Sequence, residues 1–164
     1  MTAKLVELRH RVNKSKFEGT LIALDPGETT GVTVVHVPFS QDSIDIRHQC
    51  QIKSWPLERF IGDFNTMLAL YKPEFVVFES YHVYAWRLNE HTFSEVPTIQ
   101  IIGSLQTLCH LQKIPYGEQT AQTGKAFWTD ERLKTFGVFK TGEKHARDSL
   151  RHALQYLVFG LKGQ

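Results

Sequence analysis

The sequence predicts an α/β fold: a mixed sheet, part antiparallel meander and part parallel, flanked by helices. Three observations predict it. First, the apolar run Leu21-Ile22-Ala23-Leu24 stops at Asp25, turns through Pro26, Gly27 and Gly31, and resumes as Val32-Thr33-Val34-Val35, which reads as a hairpin of buried strands. Second, Phe60, Ile61, Phe64, Met67, Leu68 and Tyr71 recur at three- and four-residue spacing, the pattern of a helix packed on a sheet. Third, Phe75-Val76-Val77-Phe78 follows as a second short apolar run, ending on Glu79. A strand, helix, strand order requires a crossover and therefore parallel pairing, normally right-handed.

The elements follow in order. Residues 1–18 read as a basic, weakly structured arm, with Lys4, Arg9, Arg11, Lys14 and Lys16 against only Glu7 and Glu18, and without the apolar core of a signal peptide. Residues 19–164 read as a single domain, in a chain of 164 residues long enough to bury roughly two-thirds of its unfolded surface. After the hairpin (residues 19–37) and a loop from Pro38 to Gln41, Ile44 to Trp55 alternates as a third strand, completing the meander. Pro56 opens the first helix and Pro73 stops it. Ser80 to Phe93 is a loop carrying Tyr81, Tyr84, Trp86 and Phe93 among His82, Arg87 and His91. Such rings either stack bases or fill a satellite core beneath the loop, and both readings stand at this point. Pro97 to Gln112 is a second helix with Ile101, Leu105, Leu108 and Leu111 inward. Lys113 to Tyr116 begins a short strand, Gly117 to Thr123 reads as polar loop, and Lys125 to Gly137 as helix. A last helix runs between Gly142 and Gly160.

No apolar run approaches the ~20 residues of a membrane span. Cys50 and Cys109 have no metal-ligand spacing and read as reduced thiols of a cytoplasmic protein. The net charge of +2 is small, but it is unevenly spread: besides the arm, a basic stretch runs from Lys125 through Arg132, Lys134, Lys140, Lys144 and Arg147 to Arg151. That clustering suits phosphate contacts, and equally a solvated face.

Asp25 either initiates a turn or, placed by a rigid central strand, ligates a metal. Glu79 emerges at the same sheet edge if the two strands are neighbours. His145, Asp148 and His152 lie three and four residues apart and share a helix face, beside the small residues Ala146, Ser149 and Ala153 that allow close approach to a sheet. Alone, that stripe is also compatible with a surface His–Asp hydrogen bond. Three carboxylates gathered at one point repel unless a divalent cation sits among them. Oxygen ligands without thiolates point to Mg²⁺, with Mn²⁺ as the alternative. Two such ions about 4 Å apart would activate a water and stabilise the leaving oxygen of a phosphodiester.

The ordered set resembles the RuvC-type Holliday junction resolvases of the ribonuclease H-like superfamily. Ala23-Leu24-Asp25-Pro26-Gly27 with Thr30-Gly31 resembles their opening motif, Phe75-Val76-Val77-Phe78-Glu79 their second acidic strand, and His145-Ala146-Arg147-Asp148 their closing motif. The resemblance spans roughly residues 20 to 160. It implies a ribonuclease H-like fold with a mixed five-stranded sheet, a homodimer with two active sites, and metal-dependent paired cleavage of four-way DNA junctions. Carried over by motif, Asp25, Glu79 and Asp148 become catalytic metal ligands and His145 the fourth ligand or a water-activating group, with two ions per site. Tyr81 or Tyr84 would reach the junction, and Lys125, Lys144 and Arg147 would meet DNA phosphates. The basic arm, which has no counterpart among these motifs, would grip an arm of the junction. Rival readings are a debranching nuclease acting on flaps and forks, and a non-catalytic junction-binding module. Asp25 to Gly31 also resembles the first phosphate loop of actin-like ATPases and sugar kinases. That rival needs two related domains, and a chain of 164 residues without an internal repeat cannot hold them.

Overall fold

The run from Thr20 to Asp25 is buried throughout, because its strand, β2 (Gly19–Asp25), has a neighbour on each side and helices on both faces. The computed structural model describes residues 2–3, 17–39, 44–81 and 97–161. Strand β2 pairs antiparallel with β3 (Thr29–Val37), and β3 with β4 (Ile44–Lys53), which is the expected meander. Helix α1 (Leu57–Tyr71) then crosses over to β5 (Phe75–Glu79), which lies parallel to β2. Helix α2 (Pro97–Leu111) leads to β6 (Tyr116–Gln119), parallel to β5. Helices α3 (Ala121–Phe127), α4 (Asp130–Thr135) and α5 (Lys144–Phe159) close the chain.

The five strands β2 to β6 form the expected mixed sheet. A two-residue strand, β1 (Thr2–Ala3), adds an edge by pairing with Asp45 and Ile44. It lies in the segment read as a weakly structured arm, and main-chain pairing over two residues leaves no apolar pattern to read. Residues 4–16 of that arm, and Tyr84 with most of its loop, lie outside the described residues, while Phe17 packs edge-on against Tyr156.

The two-residue alternation of the strands sorts the core into two layers. Ile22, Leu24, Val32, Val34, Val76 and Phe78 pack under Phe60, Phe64 and Leu68 of α1 and Ile101, Leu105 and Cys109 of α2. Leu21, Ala23, Val35 and Val77 face the other way, onto Leu150, Ala153, Leu154 and Leu157 of α5, with Trp128 and Leu133 completing that side. By the same alternation Asp25 and Glu79 belong to the α5 side.

Two local expectations are corrected. The sixth strand occupies Tyr116 to Gln119, most of it in the stretch read as polar loop, because this strand is short and alternates buried Gly117 and Gln119 with exposed Tyr116 and Glu118. The helix expected from Lys125 to Gly137 is two helices. Trp128 is buried where the chain bends, and the Thr129 side chain accepts a hydrogen bond from the Arg132 backbone N–H to cap α4. Gly137, at φ 68°, ends that segment as expected.

Candidate active site

Strand register brings the acids together. Leu24 pairs with Phe78, so Asp25 and Glu79 stand side by side where β2 and β5 end, and Glu79 pairs with Gln119 of β6. All three lie on the α5 side. Helix α5 presents His145, Asp148 and His152 to this row along one stripe, with Asp148 1% and His152 1% exposed.

The approach of α5 depends on small residues. Gly31 stands opposite Asp25 on β3, and a Cβ there would fall 1.9 Å from the His145 carbonyl oxygen. The Thr33 and Ser149 hydroxyls meet at 2.7 Å, and Gln49 Nε2 donates to the Ala146 carbonyl at 2.8 Å. The His145 backbone N–H, one of the free donors of the helix N-terminus, donates to Gln51 Oε1 at 2.9 Å. The first turn of α5 is thereby fixed to β3 and β4.

Asp25, Glu79 and Asp148 line a cavity of about 270 Å³ together with His145, Lys125, Lys144 and Tyr81. Nδ1–H of His145 donates to Asp25 Oδ2 at 2.7 Å. Lys125 of α3 reaches over the acids, its Nζ 3.3 Å from Asp148 Oδ2 and 3.6 Å from Glu79 Oε2. Arg151 bonds Asp148 from below and is itself held by Asp130 and by the Trp128 carbonyl. Beneath Glu79, the buried His152 ring lies 3.0 Å from Glu79 Oε2 through Nε2 and 3.0 Å from Gln119 Oε1 through Nδ1.

The electrostatics are those of crowded acids. Burial pushes the Asp25 carboxyl above its ordinary value, the His145 hydrogen bond opposes this, and Glu79 and Asp148 add to it. Burial also acts upward on Glu79, but His152 and Lys125 outweigh it and hold that carboxyl below its ordinary value. Burial lowers the Lys125 ammonium, while Glu79, Asp148 and Asp25 raise it more. The site thus has one carboxyl that resists ionising, one held as carboxylate, and a lysine drawn in as counter-charge.

The residues anticipated from sequence separate into two groups. Asp25, Glu79, His145, Asp148, Lys125, Lys144 and Tyr81 meet at the cavity. Arg147 does not. Its guanidinium packs over Phe139, donates to the Lys140 carbonyl at 3.1 Å and faces Asp130, on the flank of α5 away from the acids. Three further participants were not anticipated in these roles: His152, Gln119 and Arg151. The stripe spacing carried His152, four residues after Asp148. Only the alternation of a four-residue strand carried Gln119. Arg151, three residues after Asp148, looked like one more member of the basic stretch.

The donor atoms fit a divalent cation. Asp25, Glu79 and His152 each offer a ligand atom, all within 4.8 Å of one another. Asp148 adds a further carboxylate on the same wall of the cavity. Hard carboxylate oxygens suit a divalent cation, and the set lacks the thiolates of a structural zinc site.

No protein-family model matches the sequence, and no curated protein matches it. Solved structures do match. RuvC of Thermus thermophilus, solved in complex with Holliday junction substrate, aligns with a TM-score of 0.67 at 19% identity, covering 88% of this chain and 96% of that one. The yeast mitochondrial Holliday junction resolvase aligns with a TM-score of 0.56 at 13% identity, covering 93% and 82%. The fowlpox virus Holliday junction resolvase gives 0.56 at 13% identity, covering 84% and 97%. The chain therefore has a RuvC-like fold, the one found in Holliday junction resolvases of a bacterium, a yeast mitochondrion and a poxvirus.

Proposed function

We propose that this chain is a metal-dependent endodeoxyribonuclease that resolves four-way DNA junctions by paired phosphodiester hydrolysis. One observation carries the reading: three carboxylates and an imidazole from three separate elements converge in one cavity at the end of two parallel strands. The shared fold supports the choice of substrate, since the matching resolvases include structures solved with junction DNA. Fold alone does not name a substrate, so the reading rests on the site.

Asp25, Glu79 and Asp148 would hold the two ions, with His145 beside them on the cavity wall. Mg²⁺ or Mn²⁺, when bound, supplies an activated water and neutralises charge at the leaving oxygen. His145 commits Nδ1 to Asp25, which leaves Nε2 able to take a proton from the attacking water. Lys125, with its side chain 43% exposed, is free to move from the acids towards the scissile phosphate when a cation replaces it as counter-charge. Lys144, exposed at the first turn of α5, offsets phosphate charge at the cavity rim. Tyr81 stands at the same rim, where a ring can stack on a base at the junction. In this reading residues 19–164 are one nuclease domain, the basic arm before them grips a junction arm, and two copies pair their sites in a cytoplasmic homodimer. No helix among the described residues is long and apolar enough to cross a membrane.

The test is cleavage of a labelled synthetic four-way junction, with and without Mg²⁺, beside flap, fork and linear duplex controls. Wild type should make paired cuts in the junction. Asp148→Asn should lose more than about 100-fold in rate while still folding, since even changes to outer-shell partners cost 10–100-fold. Equal cutting of flaps and forks would replace the resolvase with a general debranching nuclease. Binding without cutting in any divalent metal would overturn the catalytic reading.

A further inference from the structure

His152 was not among the residues expected at the site, yet it faces Glu79 from inside the fold. Its two neighbours set a constraint. Gln119 Oε1 lies 3.0 Å from Nδ1, and Glu79 Oε2 lies 3.0 Å from Nε2, so the ring stands between two oxygen acceptors. A neutral imidazole has one N–H. With that proton on Nδ1 and given to Gln119, the Nε2 lone pair faces the carboxylate and is open to a cation placed between the two atoms.

The spacing suits a metal ion. An octahedral ion with bonds of ~2.1 Å holds cis donors about 3.0 Å apart, the separation of Nε2 from Glu79 Oε2. Asp25 offers a third donor atom within the same 4.8 Å limit. Gln119 supplies the second, independent observation. It is 5% exposed, and its Nε2 is buried with no hydrogen-bond partner among the described residues. With its oxygen towards Nδ1, that amide fixes the imidazole and turns Nε2 to Glu79. Ligating histidines are oriented in this way, the far N–H donating to an oxygen acceptor.

We infer that His152 Nε2 is a direct ligand of a divalent cation shared with Glu79 and Asp25, and that Gln119 is the positioning residue that turns this nitrogen towards it. The inference rests on the metal-dependent reading and deepens it: one of the two cation positions has a nitrogen donor from the floor of the site. A nitrogen donor shifts preference from Mg²⁺ towards Mn²⁺ and the later divalent metals.

The experiment is Mn²⁺ binding to the full chain, followed by electron spin echo measurement of ¹⁴N coupling. It is run in a His145→Asp background so that the other histidine at the site contributes no signal. The coupling should persist with His152 present and vanish in His152→Ala. Gln119→Met, which removes the acceptor, should weaken Mn²⁺ by 10- to 100-fold, whereas Gln119→Glu, which keeps an acceptor, should restore affinity. Circular dichroism checks that each variant folds. If Mn²⁺ binds the His145→Asp protein without ¹⁴N coupling, the inference fails while the metal site stands, and His152 is then a hydrogen-bond donor to Glu79. If wild type binds no Mn²⁺ at all, the metal-dependent reading fails as well.

Discussion

Asp25 is the residue at which the needs of folding and of the site conflict. The residue is 6% exposed, and burial together with Glu79 and Asp148 raises its carboxyl above the ordinary value of 3.8. A carboxyl raised on folding adds stability that is fully present below the unfolded value and is lost as pH rises through the folded one. Without metal, Asp25 is therefore a destabilising group at neutral pH. Asp25→Asn keeps an oxygen to accept the His145 hydrogen bond and removes the charge. It should raise the metal-free melting temperature at pH 7.5 by about 2–4 °C, on the order of 1 kcal/mol in a chain of this size. That difference should shrink as pH falls through the raised folded value and vanish below the unfolded 3.8, where the carboxyl is protonated in both states. Glu79 has the opposite sign: its depressed carboxyl stabilises above the ordinary 4.5 and loses that contribution as pH falls through the folded value. Thermal melts of both proteins from pH 4 to pH 8 in chelator measure the difference. A variant less stable than wild type at pH 7.5 would mean that the carboxylate is better satisfied than its neighbours imply.

At the scale of elements, the site depends on how closely α5 reaches the sheet. Gly31 is required by that approach rather than by its own backbone conformation. A methyl there meets the His145 main chain at 1.9 Å, and main chain cannot rotate aside. Gly31→Ala should destabilise by about 1–3 kcal/mol, read as a lower urea midpoint with unchanged slope. It should also weaken divalent-cation binding, because the displaced first turn carries His145 away from Asp25. The element scale also explains which parts were legible in the sequence. Asp25 and Glu79 end apolar runs, which put them at one edge once their strands are neighbours. His145 and Asp148 stand at helical spacing, but it took the ordered motifs to bring the helix to that edge. Gly117 and Gln119 belong to a strand too short and too polar to show a pattern, and that strand exists because β5 offers it a parallel edge. Without its partner strand, Gln119 had no reason to stand out, and His152 lost the neighbour that gives it a role. The break at Trp128 was hidden for a similar reason: the indole leaves the helical pattern to fill the layer between sheet and α5, a tertiary demand with no local signal.

At the scale of the whole molecule, the cavity joins elements that are far apart in sequence. Asp25 belongs to the hairpin, Glu79 to the crossover strand, Lys125 to α3 and Asp148 to the last helix. In the metal-free protein the Lys125 ammonium, at 3.3 Å from Asp148 and 3.6 Å from Glu79, supplies counter-charge to the acids. A divalent cation there would tie β2, β5 and α5 at one point, and it would bind only the folded chain, since the unfolded chain scatters its ligands. Binding restricted to the native state stabilises by RT ln(1 + [L]/Kd), about 2.7 kcal/mol at 100 times Kd. For a domain of this size that is a rise of about 5–10 °C in Tm on adding Mn²⁺, reversed by chelator. Asp25→Asn should begin higher than wild type in chelator and gain little from the ion, so the two melting curves exchange order on metal addition. Such a crossing separates a site built for metal from a patch of acids neutralised by lysine, because the latter predicts parallel curves in both conditions.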